Sequence, residues 1–229
     1  MKLFGGKKKK DGHENHSNGM APEMYTKKEM ETVDRFVNQS FGGFDNVFHE
    51  IVSPDIHVDV LFIPPNEDRD YYTLVTMGMG AHKMNVPPEL AEYKLERAEL
   101  LITLPTDWVI PSQEETWYWP IRLLKSTARL PIACDTWLGW GHSVDNQSPY
   151  ADNTGFCGAL LIEPMTGSSN VCELPNGEPV NFYQLIPIYR EEMEYKIEHG
   201  TDDLLKLMED TSFVVDIKRR NTAEGADKK

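Results

Sequence analysis

No apolar run in the 229 residues approaches the ~18 needed to cross a bilayer, so no membrane partner is expected. The opening MKLFGGKKKK has lysines but no apolar stretch behind them, which is not the pattern of a secretory signal. Cysteines are scarce and odd in number: Cys134, Cys157 and Cys172. Without a signal, an odd count points to reduced thiols and a cytoplasmic location. Each lies in an apolar context (PIACDTW, TGFCGALLI, SNVCELP) and is expected to serve as a small hydrophobe of the core. Basic residues are also short, with 23 Lys and Arg against 37 Asp and Glu and a net charge of −14. The first ten residues hold five lysines and no acid, which leaves about −19 for the rest. Such a surface repels phosphate backbones and favours basic partners, so nucleic acid is not an expected ligand.

The usual chemical motifs are missing as well. GMGAHKMN has only Gly78 and Gly80, and Pro87–Pro88 intervene before any helix, so it reads as a turn needing positive φ, not a phosphate loop. There is no G-x-S-x-G elbow. His49, His57, His82, His142 and His199 share no metal-ligand spacing, and the default for each is a satisfied or exposed ring. No cofactor and no metal are expected. A metal-dependent site assembled from distant residues, such as His82, His142 and Asp135, stays open as an alternative. The acidic pairs Glu114–Glu115, Glu191–Glu192 and Asp202–Asp203 fall at helix starts or in polar loops, where acids favour a helix N-terminus. No arrangement of nucleophile, base and orienting group is visible, so no catalytic residue is assigned.

What is present is a globular pattern. Residues 1–22 are polar and Lys-, Gly-, Asn- and His-rich, and a disordered basic head is expected there. Residues 23–218 read as one domain, followed by a mobile charged tail over 219–229. From Met24 to about Asn38, Met30, Val33, Phe36 and Val37 form a helical stripe, with Thr26 and Glu29 as a capping box. Strands are expected at Phe48–Val52, His57–Ile63 and Tyr72–Met77. Ala98–Leu104 is nearly all apolar, as a central strand buried on both faces would be. Pro120 is read as the first turn of a helix burying Ile121, Leu124 and Ala128. Strands then follow at Asp135–His142, Phe156–Glu163, Asn170–Leu174 and Phe182–Tyr189, with the Asn-Gly of PNGEP marking a hairpin. Two short helices, Glu191–His199 and Asp202–Met208, are split by Gly200 before a last strand at Phe213–Ile217. With no βαβ period, the class is α+β, a mixed and mostly antiparallel central sheet flanked by helices.

Tryptophan is the unusual component. Trp117, Trp119, Trp137 and Trp140 crowd one stretch, with Trp108 upstream. Trp119 is expected to staple its helix to the core. In a strand, Trp137 and Trp140 point to opposite faces, so one of them is shallow: a core ring seen edge-on or an interface anchor.

The order of segments YYTLVTMGMGAHKMNVPPE, AELLITLPTDW, WPIRLLKSTARLP, TWLGWGHSVDN and FYQLIPIYREEMEYKIEHGTDDLLKLM resembles the Suppressor of fused domain over roughly residues 28–210. That resemblance implies protein binding without catalysis. Eukaryotic members restrain a zinc-finger transcription factor using a second domain, which is not expected here. Short bacterial members imply a different role, that of an immunity protein neutralising a toxin, and an acidic surface suits a basic toxin partner. The segment ACDTWLGWGHSV matches the strand such proteins offer to a partner peptide. Carried across, the implied contact residues are Asp135, Trp137, Trp140 and His142. The alternatives beside this reading are a hydrolase or metal-dependent enzyme, and a regulatory scaffold.

Overall fold

A computed structural model describes residues 21–110, 112–165 and 167–225. The head expected at 1–22 lies outside the described residues as far as residue 20, as do residues 226–229 of the expected tail.

Helix α1 spans Lys27–Ser40. Its capping box is present: Thr26 Oγ1 accepts from the Glu29 N–H at 3.4 Å, and Glu29 accepts from the Thr26 N–H at 2.8 Å. Val33 and Val37 are buried and Phe36 packs beside them, while Met30 faces out. The strands are β1 (Asn46–Phe48), β2 (Asp59–Ile63), β3 (Tyr71–Met77), β4 (Ala98–Pro105), β5 (Ser143–Asp145), β6 (Gly158–Ile162), β7 (Val171–Glu173) and β8 (Pro179–Ile188). β1 ends earlier than expected because Glu50 turns inward to Arg129 and the Val58 N–H, leaving Ile51 and Val52 exposed.

Among the described residues the strands make one eight-stranded sheet in the order β1-β2-β3-β4-β8-β6-β5, with β7 on the start of β8. β4 and β8 run parallel, Ala98 opposite Asn181, and every other pair is antiparallel. The Asn-Gly hairpin joins β7 to β8, with Gly177 at φ +83. Both faces are covered. Val60, Phe62, Leu100, Ile102 and Leu104 point to helix α2 (Glu115–Cys134), whereas Leu61, Ile63, Leu101 and Phe182 point to α1. Helices α3 (Arg190–His199) and α4 (Thr201–Leu207), parted by Gly200, cover β6 and the end of β8 through Met193, Leu204 and Met208. Two-sided burial is why β2 and β4 read as continuous apolar runs. The class is therefore the expected one.

Helix α2 corrects the reading of Pro120, which is the sixth residue of the helix and not its first turn. A proline there removes the N–H that would reach the Thr116 carbonyl. Asn153 Nδ2 donates to that carbonyl at 3.0 Å instead. The helix then runs through Pro131 to Cys134, which is exposed at its end, while Cys157 and Cys172 are buried as expected.

The C-terminal segment departs from expectation twice. Phe213–Ile217 makes a single bridge, Val214 to Thr103, and no strand, because it meets β4 only past the point where β8 diverges. Residues 219–225, expected to be mobile, are held instead: Arg219 pairs with the fully buried Glu192, and Ala223 is buried. A charge with a buried partner does not stay in solvent.

Candidate functional site

The segment expected to be a strand, Asp135–His142, is not one. It is the end of α2, a pinned loop and a tight turn, and the edge strand β5 begins only at Ser143. Asp135 caps α2 in the left-handed region at φ +47, its N–H reaching the Pro131 carbonyl. Asn85 fastens the loop: its side chain donates to Asp135 Oδ1 at 3.2 Å and its N–H to the Thr136 carbonyl at 3.2 Å. At the turn, the His142 N–H donates to the Gly139 carbonyl at 3.1 Å, and Gly141 takes φ +78 at the third position, as a type II turn requires. Gly141 and His142 together oppose Leu161, whose carbonyl accepts from the Gly141 N–H and whose N–H donates to the His142 carbonyl, both at 2.8 Å. This bulge closes the turn and aims its corner residue, Trp140, outward.

The four residues carried from the resemblance thus separate. Trp137 and His142 stack edge to face, ring centroids 4.2 Å apart, and line a groove of about 490 Å³ with Leu130, Val144, Asp145 and Lys196. Burial and the nearby Lys196 charge hold the His142 pKa down, against a hydrogen bond that the ring donates to the Trp137 backbone, which raises it. Asp135 is exposed at the rim of this groove beside Cys134. Trp140 is 45% exposed and faces a second hollow of about 310 Å³ with Met165, Leu205, Met208 and Phe213. The expectation of one shallow and one deeper tryptophan holds, but a turn and not strand alternation produces it.

β5 is the sheet's outer strand on this side. Hydrogen bonds pair Asn146 with Cys157 and His142 with Leu161, so Ser143 and Asp145 fall at the alternate positions whose peptide groups turn away from β6. Lys196, Leu130 and Val144 had no local sequence signal, since α3 and α2 reach the groove only through the fold. Asp145 accepts two hydrogen bonds from Arg190, at 2.8 and 2.7 Å, which hold its carboxyl below the usual range.

The histidines are satisfied separately. His49 and His57 share Asp59 at 3.0 and 3.1 Å, and His82 meets Glu23 at 3.0 Å. Ser53 lies 2.8 Å from His57 Nδ1 but also 2.8 Å from Glu50, the carboxylate that Arg129 neutralises. Among the described residues no group of three His, Cys, Asp or Glu side chains is arranged to hold a metal ion. No helix there is long and apolar enough to cross a membrane.

The glycine turn has an internal use. Gly78, at φ +126, and Gly80 donate their N–H groups to Glu99 at 2.8 and 3.1 Å, joined by Tyr25 at 2.8 Å and Thr76 at 2.5 Å. Burial pushes the Glu99 carboxyl up against the pull of these donors. Arg97 grips the turn's other side through the Gly80 and Ala81 carbonyls, at 2.6 and 2.8 Å. The turn leads to Met84 and Asn85, so this clamp positions the loop that carries Trp137.

Comparison with known proteins agrees with this architecture. An uncharacterized protein of Ureaplasma parvum serovar 3 is 26% identical over 201 residues, covering 86% of this chain and 96% of its own. The solved Suppressor of fused homologue of Neisseria gonorrhoeae FA 1090 matches with a TM-score of 0.59 at 19% identity, over 85% of this chain and 96% of that one. The structure of the Sufu–Fu complex matches with a TM-score of 0.63 at 12% identity, over 91% and 96%. The family model described as Suppressor of fused protein (SUFU) matches residues 54–220, from beside Asp55, a partner of Arg129, to the Arg219 strap. With strands β2 to β8, the tryptophan turn and most of the chain inside that match, this protein belongs to the Suppressor of fused family.

Proposed function

We propose that the chain is a protein-binding module without catalytic activity, taking an extended segment of its partner along the outer edge of β5. The observation that carries this reading is a three-residue edge strand whose Ser143 and Asp145 peptide groups face outward, between the Trp137–His142 groove and the exposed Trp140. A free strand edge supplies main-chain hydrogen bonds, and flanking pockets supply selectivity. The Sufu–Fu complex, whose fold this chain shares, supports a protein-binding reading. The biological role we assign is neutralisation of a toxin: the net charge of −14 steers a basic domain onto this surface.

The test is a pull-down from extracts of the producing cell, run in parallel with three variants. Trp140→Ala should leave stability within about 0.5 kcal/mol of the parent. It should weaken partner binding by about 2 kcal/mol, roughly thirtyfold. Trp137→Ala should lower both, because its ring is half-buried against His142. Asp135→Arg should weaken binding to a basic partner while its exposed side chain leaves the core intact. Equal capture by all three variants would place the partner elsewhere. The immunity role is tested by producing the captured partner in a host cell, where growth arrest must be relieved by the parent chain and less so by Trp140→Ala.

Absence of catalysis has its own measurement. ATP, GTP, NAD and zinc should each leave the melting temperature unchanged, since a ligand at 100 times its Kd stabilises by about 2.7 kcal/mol. A saturable upward shift with any of them overturns the non-enzymatic reading.

A further inference from the structure

Among the described residues, most of the half-buried cations find carboxylates. Arg129 meets Glu50 and Asp55, Arg97 meets Glu178, Arg190 meets Asp145 and Arg219 meets Glu192. Lys196 does not. It is half-buried, and its Nζ contacts the Ser143 hydroxyl at 3.3 Å. One helical turn back, Glu192 is turned away onto Arg219, and one turn ahead stands Gly200. Asp145, which shares the groove, is already held twice by Arg190. The same groove is lined by Trp137, Leu130 and Val144, and by His142, whose ring contacts that of Trp137. Burial lowers the pKa of Lys196, and its charge in turn lowers that of His142. Removing an ammonium from water without a counter-charge is unfavourable, and a ligand anion placed here relieves that cost.

We propose that the groove beside β5 selects an extended peptide segment with a carboxylate side chain, which pairs with Lys196 while an apolar neighbour lies over Trp137. This rests on the reading of β5 as the peptide-binding edge. The selectivity is local and compatible with a partner that is basic overall: long-range charge brings the domains together, and one acidic residue fixes the register of the segment. In an extended segment alternate side chains share a face, so the acid and the apolar residue stand two positions apart.

The experiment is selection of displayed random heptapeptides on the parent chain and on Lys196→Gln, a change that removes a desolvated charge without emptying the core. Selected peptides are synthesised and titrated while NMR follows the Trp137 and His142 rings. The expected result is an acidic residue enriched on the parent and not on Lys196→Gln, with ring signals that shift. Replacing that acid by its amide should weaken binding about tenfold on the parent and less than twofold on Lys196→Gln, with Lys196→Arg keeping most of the effect. Peptides that shift both rings but show no acidic preference overturn this inference and leave edge binding standing. Peptides that leave both rings unmoved, or no selected peptides at all, overturn both.

Discussion

Trp119→Ala is expected to destabilise the chain by about 3–5 kcal/mol, through the cavity left by a large ring. Trp119 is 0% exposed, stacked on Tyr150 at 5.3 Å between centroids and edge-on to Trp108 at 5.8 Å. Trp108 in turn donates its Nε1–H to the Trp117 carbonyl at 2.9 Å, so the ring cluster holds the first turns of α2 against the sheet. For a domain of this size the loss lowers the melting temperature by roughly 6–20 °C. Trp119→Phe keeps an aromatic ring on Tyr150 and discards an indole N–H that has no hydrogen-bond partner among the described residues. Its cost should be clearly smaller. Thermal and urea unfolding of both variants provide the measurement, and equal losses would mean that packing of a ring on Tyr150 is not what stabilises this corner.

The second large effect is Arg219→Met, with an expected cost of about 3–5 kcal/mol, because it strands a buried carboxylate. The Arg219 guanidinium donates to both oxygens of Glu192 at 2.6 Å and to the Pro187 carbonyl at 2.9 Å. It also lies 4.8 Å from the Phe156 ring centroid and 4.9 Å from that of Tyr189. Glu192 is 0% exposed and accepts further from the Thr222 and Tyr189 N–H groups, both at 2.9 Å. Burial alone would raise its pKa, but Arg219 and these N–H groups outweigh burial and hold it below the usual value. A depressed carboxylate contributes stability that is present above its unfolded pKa of about 4.3 and is lost as pH falls through the folded value. The parent should therefore lose this contribution on acidification below about pH 4, and the Glu192→Met/Arg219→Met double variant should not. The double variant should also be far more stable at neutral pH than Arg219→Met alone, since it buries no unpaired charge. Urea unfolding at neutral and acidic pH decides. If the single variant matches the parent, the strap is not held by this pair.

Local signals were legible wherever the cause was local. The Thr26–Glu29 box, the Asn-Gly hairpin, the Gly200 break and the two-sided apolar run of β4 each act within a few residues, and each appears where expected. Three features escaped because their causes are distant in sequence. Pro120 looked like a helix start because nothing nearby announces that Asn153 will supply the missing donor to Thr116. The strand expected at Asp135–His142 gives way because Asn85 pins the loop after α2 and Leu161 closes the Gly-Trp-Gly turn, both from far along the chain. The C-terminal strap reads as a tail in sequence because the acid that holds Arg219, Glu192, lies across the fold. For the candidate site, the tryptophans were visible, but Lys196 and the separation of Trp137 from Trp140 needed the tertiary structure.

The parallel pairing of β4 with β8 also bears on how the chain leaves the ribosome. β1 to β4 form an antiparallel meander from neighbouring segments, but the free edge of β4 waits for residues 181–184. At about 5–20 residues per second, that wait is on the order of several seconds. During it, Ala98, Leu100 and Leu101 have no second neighbour, and the Phe182 ring that packs against α1 has not been made. A nascent chain halted after α2 therefore presents an apolar strand edge to whatever is near, and it is at this length that ribosome-associated chaperones should bind it most strongly.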